Sequence, residues 1–231
     1  MSGAAQEEYR VFTDGEGREI RAKIVRIDIR SRKITLEREN QRKATVPLNI
    51  FSEPDQVYIR EWLKVQDFMS EAKLKVELNR RKQPVEEDRS ETKRPKPPVY
   101  YEINLENRSD TDLTGLTVEY CIYAVSDLAQ GDDELKLITG SEEDLQLKPG
   151  ARKNITSDQV KLYRRYKEQT EVSYDQYGGR SMSTSYNKIS EDDLEGVWVK
   201  LTYTTPSGKR FVRNICDPER LQDKFTWRQN R

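Results

Sequence analysis

The sequence contains no histidine, and only two of its 231 residues are cysteine. A chain without histidine lacks the commonest general base and the commonest transition-metal ligand in proteins. Neither cysteine has the C-x-x-C spacing of a redox or zinc site. The composition therefore predicts a protein that is not an enzyme and that holds no metal and no cofactor.

Long hydrophobic runs are also missing, and no stretch approaches the roughly 20 apolar residues that a membrane helix needs. Only 34% of the residues are hydrophobic while 35% are charged, which predicts a modest core. The 41 basic residues balance the 41 acidic ones, so the whole chain has no net attraction for nucleic acid or an anionic membrane. The start "MSGAAQEEYR" fits a cytoplasmic protein or one whose export signal is absent from this chain.

The two cysteines, Cys121 and Cys216, lie in apolar, strand-like segments 95 residues apart. Free cysteine behaves as a small core residue, which favours two buried thiols. A disulfide between two strands is the alternative.

Residues 9 to 50 carry the signs of four short strands separated by polar turns. "IRAKIVRIDI" alternates between apolar and polar residues, and "YRVFT", "SRKITLERE" and "RKATVPL" have the same habit. Pro47 ends the last strand, and Ser52 is a good N-cap for an amphipathic helix that contains Trp62. This order predicts a small β-barrel followed by a helix.

These stretches resemble the SHD homology domain, a small Src-homology-3-like barrel first described in a yeast adaptor that links endocytic cargo to actin assembly. The likeness covers residues 9–62. It depends on the following residues: Arg10, Phe12 and Asp14 of the opening, Gly17 of the turn, Val46-Pro47 of the ending, and Ser52, Asp55 and Tyr58 of the helix start.

The resemblance implies a module that binds a protein or a peptide, with Asn-Pro-Phe-x-Asp peptides as the family's ligand. Relatives of this barrel look bacterial, often from exported proteins of planctomycete or verrucomicrobial type. The resemblance therefore also implies an exported or periplasmic bacterial protein.

The second half predicts an immunoglobulin-like β-sandwich, because repeated strand-like runs alternate with turns such as "PSGK". We place a tail at 1–8, the barrel and helix at 9–69 and the sandwich at 70–231. A strand at 72–81 is expected to pair with the rest of the sandwich across a charged, exposed loop at 83–98.

Two groups of side chains are candidates for contact with a partner. In the barrel they are the aromatic and basic residues Phe12, Lys23, Arg26, Arg32, Lys33 and Arg42. In the second half they are the tyrosines around "QYGGRSMS", namely Tyr163, Tyr166, Tyr174 and Tyr177. Tyrosine and arginine suit a binding surface, although ordinary packing in a long hairpin is the alternative for the tyrosines.

Three acidic runs, at residues 132–134, 142–144 and 191–193, are expected to be solvated loops. They lack the alternating spacing with which a calcium loop wraps its ion.

The sequence as a whole predicts a non-enzymatic recognition or scaffolding module. The alternative is an exported structural or cell-envelope protein in which the domains merely pack, with a homo-oligomer allowed. Nucleic-acid binding by the barrel is a weaker alternative, because stacking aromatics are scarce beside its basic residues.

Overall fold

A computed structural model describes residues 9–85, 90–129 and 131–228. The described residues are mainly β, in three antiparallel sheets of which none closes on itself. The prediction of a mainly β protein is confirmed at this level. No helix in these ranges is both long and apolar enough to cross a membrane.

The first sheet has the order β1-β2-β3-β4. Its strands are Arg10–Thr13 (β1), Glu19–Asp28 (β2), Lys33–Arg38 (β3) and Lys43–Pro47 (β4). Alternate residues such as Ala22, Ile24 and Ile34 are buried, as the apolar–polar alternation of the sequence predicts. After a 3-10 turn at Leu48–Ile50, a single bridge joins Phe51 to Asp14, so the chain returns to the end of β1.

Buried Asp55 ties the first strand to the helix that follows the sheet. Its carboxylate accepts hydrogen bonds from the Arg10 guanidinium at 2.6 Å and from the Thr13 backbone N–H at 2.7 Å. Asp14 caps the β1–β2 turn by accepting the Glu16 and Arg18 backbone N–H groups.

The helix α1, Glu53–Met69, contributes to two separate hydrophobic clusters. Ile59 is buried in the cluster of the first sheet, whereas Val65 and Phe68, further along the helix, are buried in the cluster of the second half. The Ser52 hydroxyl donates to the Asp55 carboxylate and makes no capping bond to the helix backbone, so the expected N-cap bond is absent.

The second sheet has the order β10-β7-β5. Its strands are Leu74–Lys82 (β5), Val99–Asn107 (β7) and Arg152–Thr156 (β10). The pairing of β5 with β7 confirms that this strand pairs across the charged segment. Within that segment Lys93–Pro95 forms a short strand, β6, while residues 86–89 lie outside the described part of the chain.

The third sheet has the order β6-β11-β12-β8-β9, with one further strand, β13, also paired with β12. Its remaining strands are Leu113–Leu128 (β8), Glu134–Leu147 (β9), Tyr163–Tyr174 (β11), Arg180–Thr204 (β12) and Arg210–Asp217 (β13). The pairing of β12 with β13 confirms the hairpin around "PSGK". One face of this sheet shares a hydrophobic cluster with the second sheet, in which Ile103 packs with Val199 and Leu201.

The opposite face of the third sheet is covered by the C-terminal segment with its short helix α2, Leu221–Lys224. Both cysteines lie on this face as free thiols; Cys121 is buried as expected, whereas Cys216 is only half-buried. Trp198 of β12 pairs with Cys121 on one side and with Cys216 on the other, so a whole strand separates the two sulfurs. Two inter-strand steps of roughly 4.8 Å exceed the reach of a disulfide, which rules out the alternative of a Cys121–Cys216 bridge.

Candidate functional site

A groove of about 510 Å³ lies where the first sheet and α1 meet the turn between β12 and β13. Apolar side chains, four of them aromatic, make up most of its lining, and charged and hydroxyl groups lie among them. The residues that line it are Phe12, Lys23, Ile24, Pro54, Val57, Tyr58, Glu61, Trp62, Val65, Thr205, Ser207, Lys209 and Phe211. This lining combines large apolar contact area with a few polar anchors, as ligand sites commonly do.

Two sets of hydrogen bonds fix the walls of the groove relative to one another. The Glu61 carboxylate accepts from the Ser207 backbone N–H at 3.2 Å and from its hydroxyl at 2.8 Å. Behind the groove, the Arg213 guanidinium donates to the Phe68 and Leu74 carbonyl oxygens at 2.8 and 3.0 Å. These bonds join α1 to the β12–β13 hairpin, so the groove is formed in advance of any ligand.

The aromatic lining is itself held by stacking. Phe12 is buried and meets Tyr58 edge to face, with 6.1 Å between the ring centroids. The Arg10 guanidinium lies 3.8 Å from the Tyr58 centroid, a distance at which the cation and the ring attract each other. Tyr58 therefore has little freedom to rotate away from the groove.

Three charged residues line the groove, namely Lys23, Glu61 and Lys209. Lys23 also reaches Glu37, with 3.3 Å between ammonium nitrogen and carboxylate oxygen. Lys209 is exposed and makes no ion pair with the described residues. The Glu61 carboxylate keeps its negative charge although it accepts from Ser207, so the rim carries both signs of charge.

A buried hydroxyl with no hydrogen-bond partner among the described residues lies behind the groove. It belongs to Tyr203, whose ring packs on Phe68 with 5.6 Å between centroids. Burial, and next the nearby carboxylate of Glu61, raise the pKa of Tyr203 above its ordinary value. This phenol stays protonated and can donate a hydrogen bond at neutral pH.

Of the barrel residues proposed from the sequence, Phe12 and Lys23 line the groove and the other four do not. Those four are exposed elsewhere: Arg26 and Lys33 on strands of the first sheet, and Arg32 and Arg42 in the turns between its strands.

Acidic residues interrupt this basic set. Lys23 pairs in register with Glu37, and Lys33 pairs with Asp28, so the outer face of the sheet alternates in charge. A stripe of single sign, the electrostatic footprint of a nucleic-acid surface, is not formed by these residues.

The four tyrosines divide between the base and the tip of the β11–β12 hairpin. At the base, the Lys93 ammonium lies 4.1 Å from the Tyr163 ring and the Arg94 guanidinium 4.7 Å from the Tyr166 ring. At the tip, Tyr174 and Tyr177 are 70% and 88% exposed. The tip of the hairpin precedes the first residue of β12, whereas the groove lies beyond the last residue of that strand. The tyrosine surface and the groove are therefore separate.

The acidic runs at residues 142–144 and 191–193 lie in β9 and β12, which corrects the expectation of a solvated loop for both. Asp192 is fully buried and accepts from Ser126 at 2.5 Å, Lys136 at 2.9 Å and Arg165 at 3.0 Å. The flanking Glu191 binds three further cations, namely Lys96, Arg164 and Lys188.

These contacts set the ionisation of both carboxylates. Burial alone raises the pKa of Asp192, but the hydrogen bonds from Ser126, Lys136 and Arg165 outweigh it and lower the pKa to about 2. Hydrogen bonds from Arg164, and next from Lys96 and Lys188, lower the pKa of Glu191 to about 2. These acidic residues therefore join the base of the β11–β12 hairpin to β8 and β9 of the same sheet.

No protein-family model and no curated protein matches this chain. The description of the groove therefore depends on the geometry of this molecule alone. Within the described ranges, no group of three or more cysteine, aspartate or glutamate side chains is arranged to hold a metal ion.

Sequence reasoning missed most of the groove. From the sequence, Trp62 was part of the amphipathic helix and Tyr58 was a signature residue of the SHD resemblance, but neither was named as a partner contact. Lys209 of the β12–β13 turn and Phe211 of β13 lie more than 140 residues further along the chain. The one available signal was the four-residue spacing of Tyr58 and Trp62, which puts two large aromatic rings on one side of a helix.

Proposed function

We propose that this chain is a non-enzymatic module that recognises a protein or peptide partner, and that the groove beside α1 receives an extended segment of that partner. The observation that carries the proposal is the lining of the groove, where Phe12, Tyr58, Trp62 and Phe211 meet two lysines. Aromatic side chains in a fixed pocket supply most of the binding energy at many protein interfaces.

We further propose that residues 9–69 are an SHD-like small barrel and residues 70–231 an immunoglobulin-like sandwich. The roles of the family's signature residues support the first part. Arg10 and Asp55 bond each other, Phe12 fills the core, and Asp14 caps the turn that contains Gly17 at a φ of 82°. The core shared by the second and third sheets supports the second part.

The chemistry of the groove indicates the kind of peptide. An aromatic side chain would pack on Tyr58 and Trp62, and a carboxylate nearby would pair with Lys209 at the rim. This pattern is compatible with the Asn-Pro-Phe-x-Asp ligands that the SHD resemblance implies, so a bacterial partner with an exposed aromatic–acidic segment is the proposed ligand class.

A titration of the full chain with an Asn-Pro-Phe-x-Asp peptide, followed by amide NMR, tests the proposal. We expect saturable shifts at the residues that line the groove. Trp62→Ala should weaken binding at least about 10-fold, in the range of an interface anchor. Lys209→Glu should weaken it by reversing the charge that meets the peptide carboxylate.

Lys167→Glu is the matched control for the charge reversal, because Lys167 is equally exposed but lies on the β11–β12 hairpin. An equal loss in this variant would show a non-specific charge effect. Equal shifts with the peptide and with its Phe→Ala and Asp→Asn variants would contradict the proposed ligand class. A folded protein whose spectrum does not move with the peptide would contradict it as well. That result would leave the structural or cell-envelope alternative ahead.

A further inference from the structure

The outer parts of β11 and β12, residues 166–174 and 180–188, form a two-stranded ribbon whose residues are almost all exposed. Its two edges differ. The β11 edge is covered at its start by β6 and by the hydrogen bond from the Tyr166 N–H to the Thr92 carbonyl, and beyond that it carries Lys167, Glu168 and Glu171. Covering strands and charged side chains are the usual means by which proteins protect a sheet edge.

The β12 edge of the ribbon has neither protection. The stretch from Ser181 to Asn187 contains no charged residue and no proline. Pairing with β8 begins only at Ser190, and no other described strand pairs with the outer side of residues 180–188.

The hydrogen bond from the Asp175 N–H to the Gly179 carbonyl fixes which backbone groups of β12 point outward. Because antiparallel pairs alternate between bonded and non-bonded types, the odd-numbered residues of the ribbon bond across it and the even-numbered ones face away. Met182, Thr184 and Tyr186 therefore direct their N–H and C=O groups to the open edge, ready to bond another strand.

We propose that this edge pairs with the same edge of a second copy of the chain, antiparallel and around a two-fold axis at Ser183. Ser183 then lies opposite Ser183 of the second copy, and Met182 lies opposite its Thr184. Arg180 lies opposite Tyr186 of the second copy, a pairing of cation and aromatic ring that occurs twice by symmetry.

The neighbouring symmetric registers are poorer. An axis at Thr184 would place Arg180 opposite Lys188 of the second copy, and like charges directly opposite destabilise a strand pair. An axis at Met182 would place Tyr186 opposite Gly178, which lies in the hairpin turn, so fewer residues of the two strands could pair. In the register around Ser183, no like charges lie opposite each other. Ser181 then pairs with Ser185 of the second copy, so the face that carries the serines stays polar.

Sedimentation equilibrium of the full chain tests the pairing. We expect a mass of twice 27.2 kDa at high concentration and dissociation on dilution. Ser183→Glu would place two carboxylates opposite each other at the axis, with Glu171 beside each, and should weaken association about 10-fold or more. Gln169→Glu adds the same charge on the same face but on β11, and should leave association unchanged.

Thr184→Pro provides a second variant, because it removes an outward N–H that the ribbon itself does not use. It should weaken association while circular dichroism shows an intact fold. A protein that stays monomeric at all concentrations overturns the proposal, as does a dimer that neither Ser183→Glu nor Thr184→Pro weakens.

Disulfide trapping tests the register. Residues at the axis form a non-bonded pair with Cα atoms about 4.5 Å apart, within disulfide range. Ser183→Cys should therefore cross-link two copies under mild oxidation, and Ser185→Cys, whose partner is Ser181, should not. Equal cross-linking of the two variants, or none by Ser183→Cys in a dimeric protein, contradicts the proposed register.

Discussion

The two ends of β12 have opposite surroundings. Near its C-terminal end, Val197, Val199 and Leu201 are buried between β8, β13 and the second sheet. Near its N-terminal end, residues 180–189 are exposed along their whole length. The strand is thus exposed up to residue 189, and its buried part begins at Ser190 and includes Asp192.

This difference shows that strand formation and core formation are separate properties of a sequence. In "VWVKLTY" every second residue is apolar and fully buried, while "SMSTSYN" contains few apolar residues and forms a strand only through its hairpin partner. Substitutions at the two ends should therefore differ widely in their effect on stability.

The largest effect is expected where the buried end of the third sheet meets α1. Phe68→Ala should lower the free energy of unfolding by about 3–5 kcal/mol, because the ring is fully buried and packs on Tyr203. Urea denaturation followed by far-ultraviolet circular dichroism measures this. A loss below about 1 kcal/mol would mean that α1 is not part of that core.

Removal of the buried carboxylate between the two ends should cost somewhat less. Asp192→Ala leaves Arg165 and Lys136 without their shared partner and should destabilise the fold by about 3 kcal/mol. Asp193→Ala is the control, since its carboxylate is 61% exposed and a change under about 1 kcal/mol is expected. Similar losses for both variants would refute the buried role of Asp192.

Acid should weaken the ion pairs that Asp192 and Glu191 make between the two ends of β12. The pKa values of Asp192 and Glu191 are about 2 in the folded chain and lie below the ordinary values of 3.8 and 4.5. The stability that these groups contribute is therefore present above pH 4.5 and is lost as the pH falls towards 2. Asp192→Ala should flatten the fall in melting temperature over that range, and an unchanged pH profile in this variant would contradict the assignment.

The smallest effect is expected at the exposed end. Tyr174→Ala should change the free energy of unfolding by no more than about 0.5 kcal/mol, because its ring is 70% exposed. The measurement is made at a low protein concentration, where association does not contribute. A loss comparable to that of Phe68→Ala would show that the ribbon is packed against the body of the protein.

Local patterns in the sequence predicted most of the strands. The alternation in β2 and the turn between β12 and β13 were sufficient to place those elements, because each signal lies within about ten residues. The same local view failed for residues 191–193. Their acidic side chains resemble a loop until the fold brings Lys96, Lys136, Arg164 and Arg165 beside them.

The groove was out of reach for the same reason. Phe12 and Lys23 were identified as partner candidates, yet Trp62 and Phe211 become neighbours only when α1 packs on the β12–β13 hairpin. The hydrogen bond from the Ser207 hydroxyl to the Glu61 carboxylate joins residues 146 positions apart, and no periodicity in the sequence encodes such a contact.

The length of β12 has a consequence for avidity. A strand of 25 residues at about 3.3 Å per residue extends up to about 80 Å, with the ribbon at one end and the groove at the other. Two copies joined ribbon to ribbon would present two grooves at the far ends of a long, semi-rigid bar. Such a bar favours partners that display repeated segments at a matching spacing, because the second contact becomes intramolecular and tightens overall binding without any change in either groove.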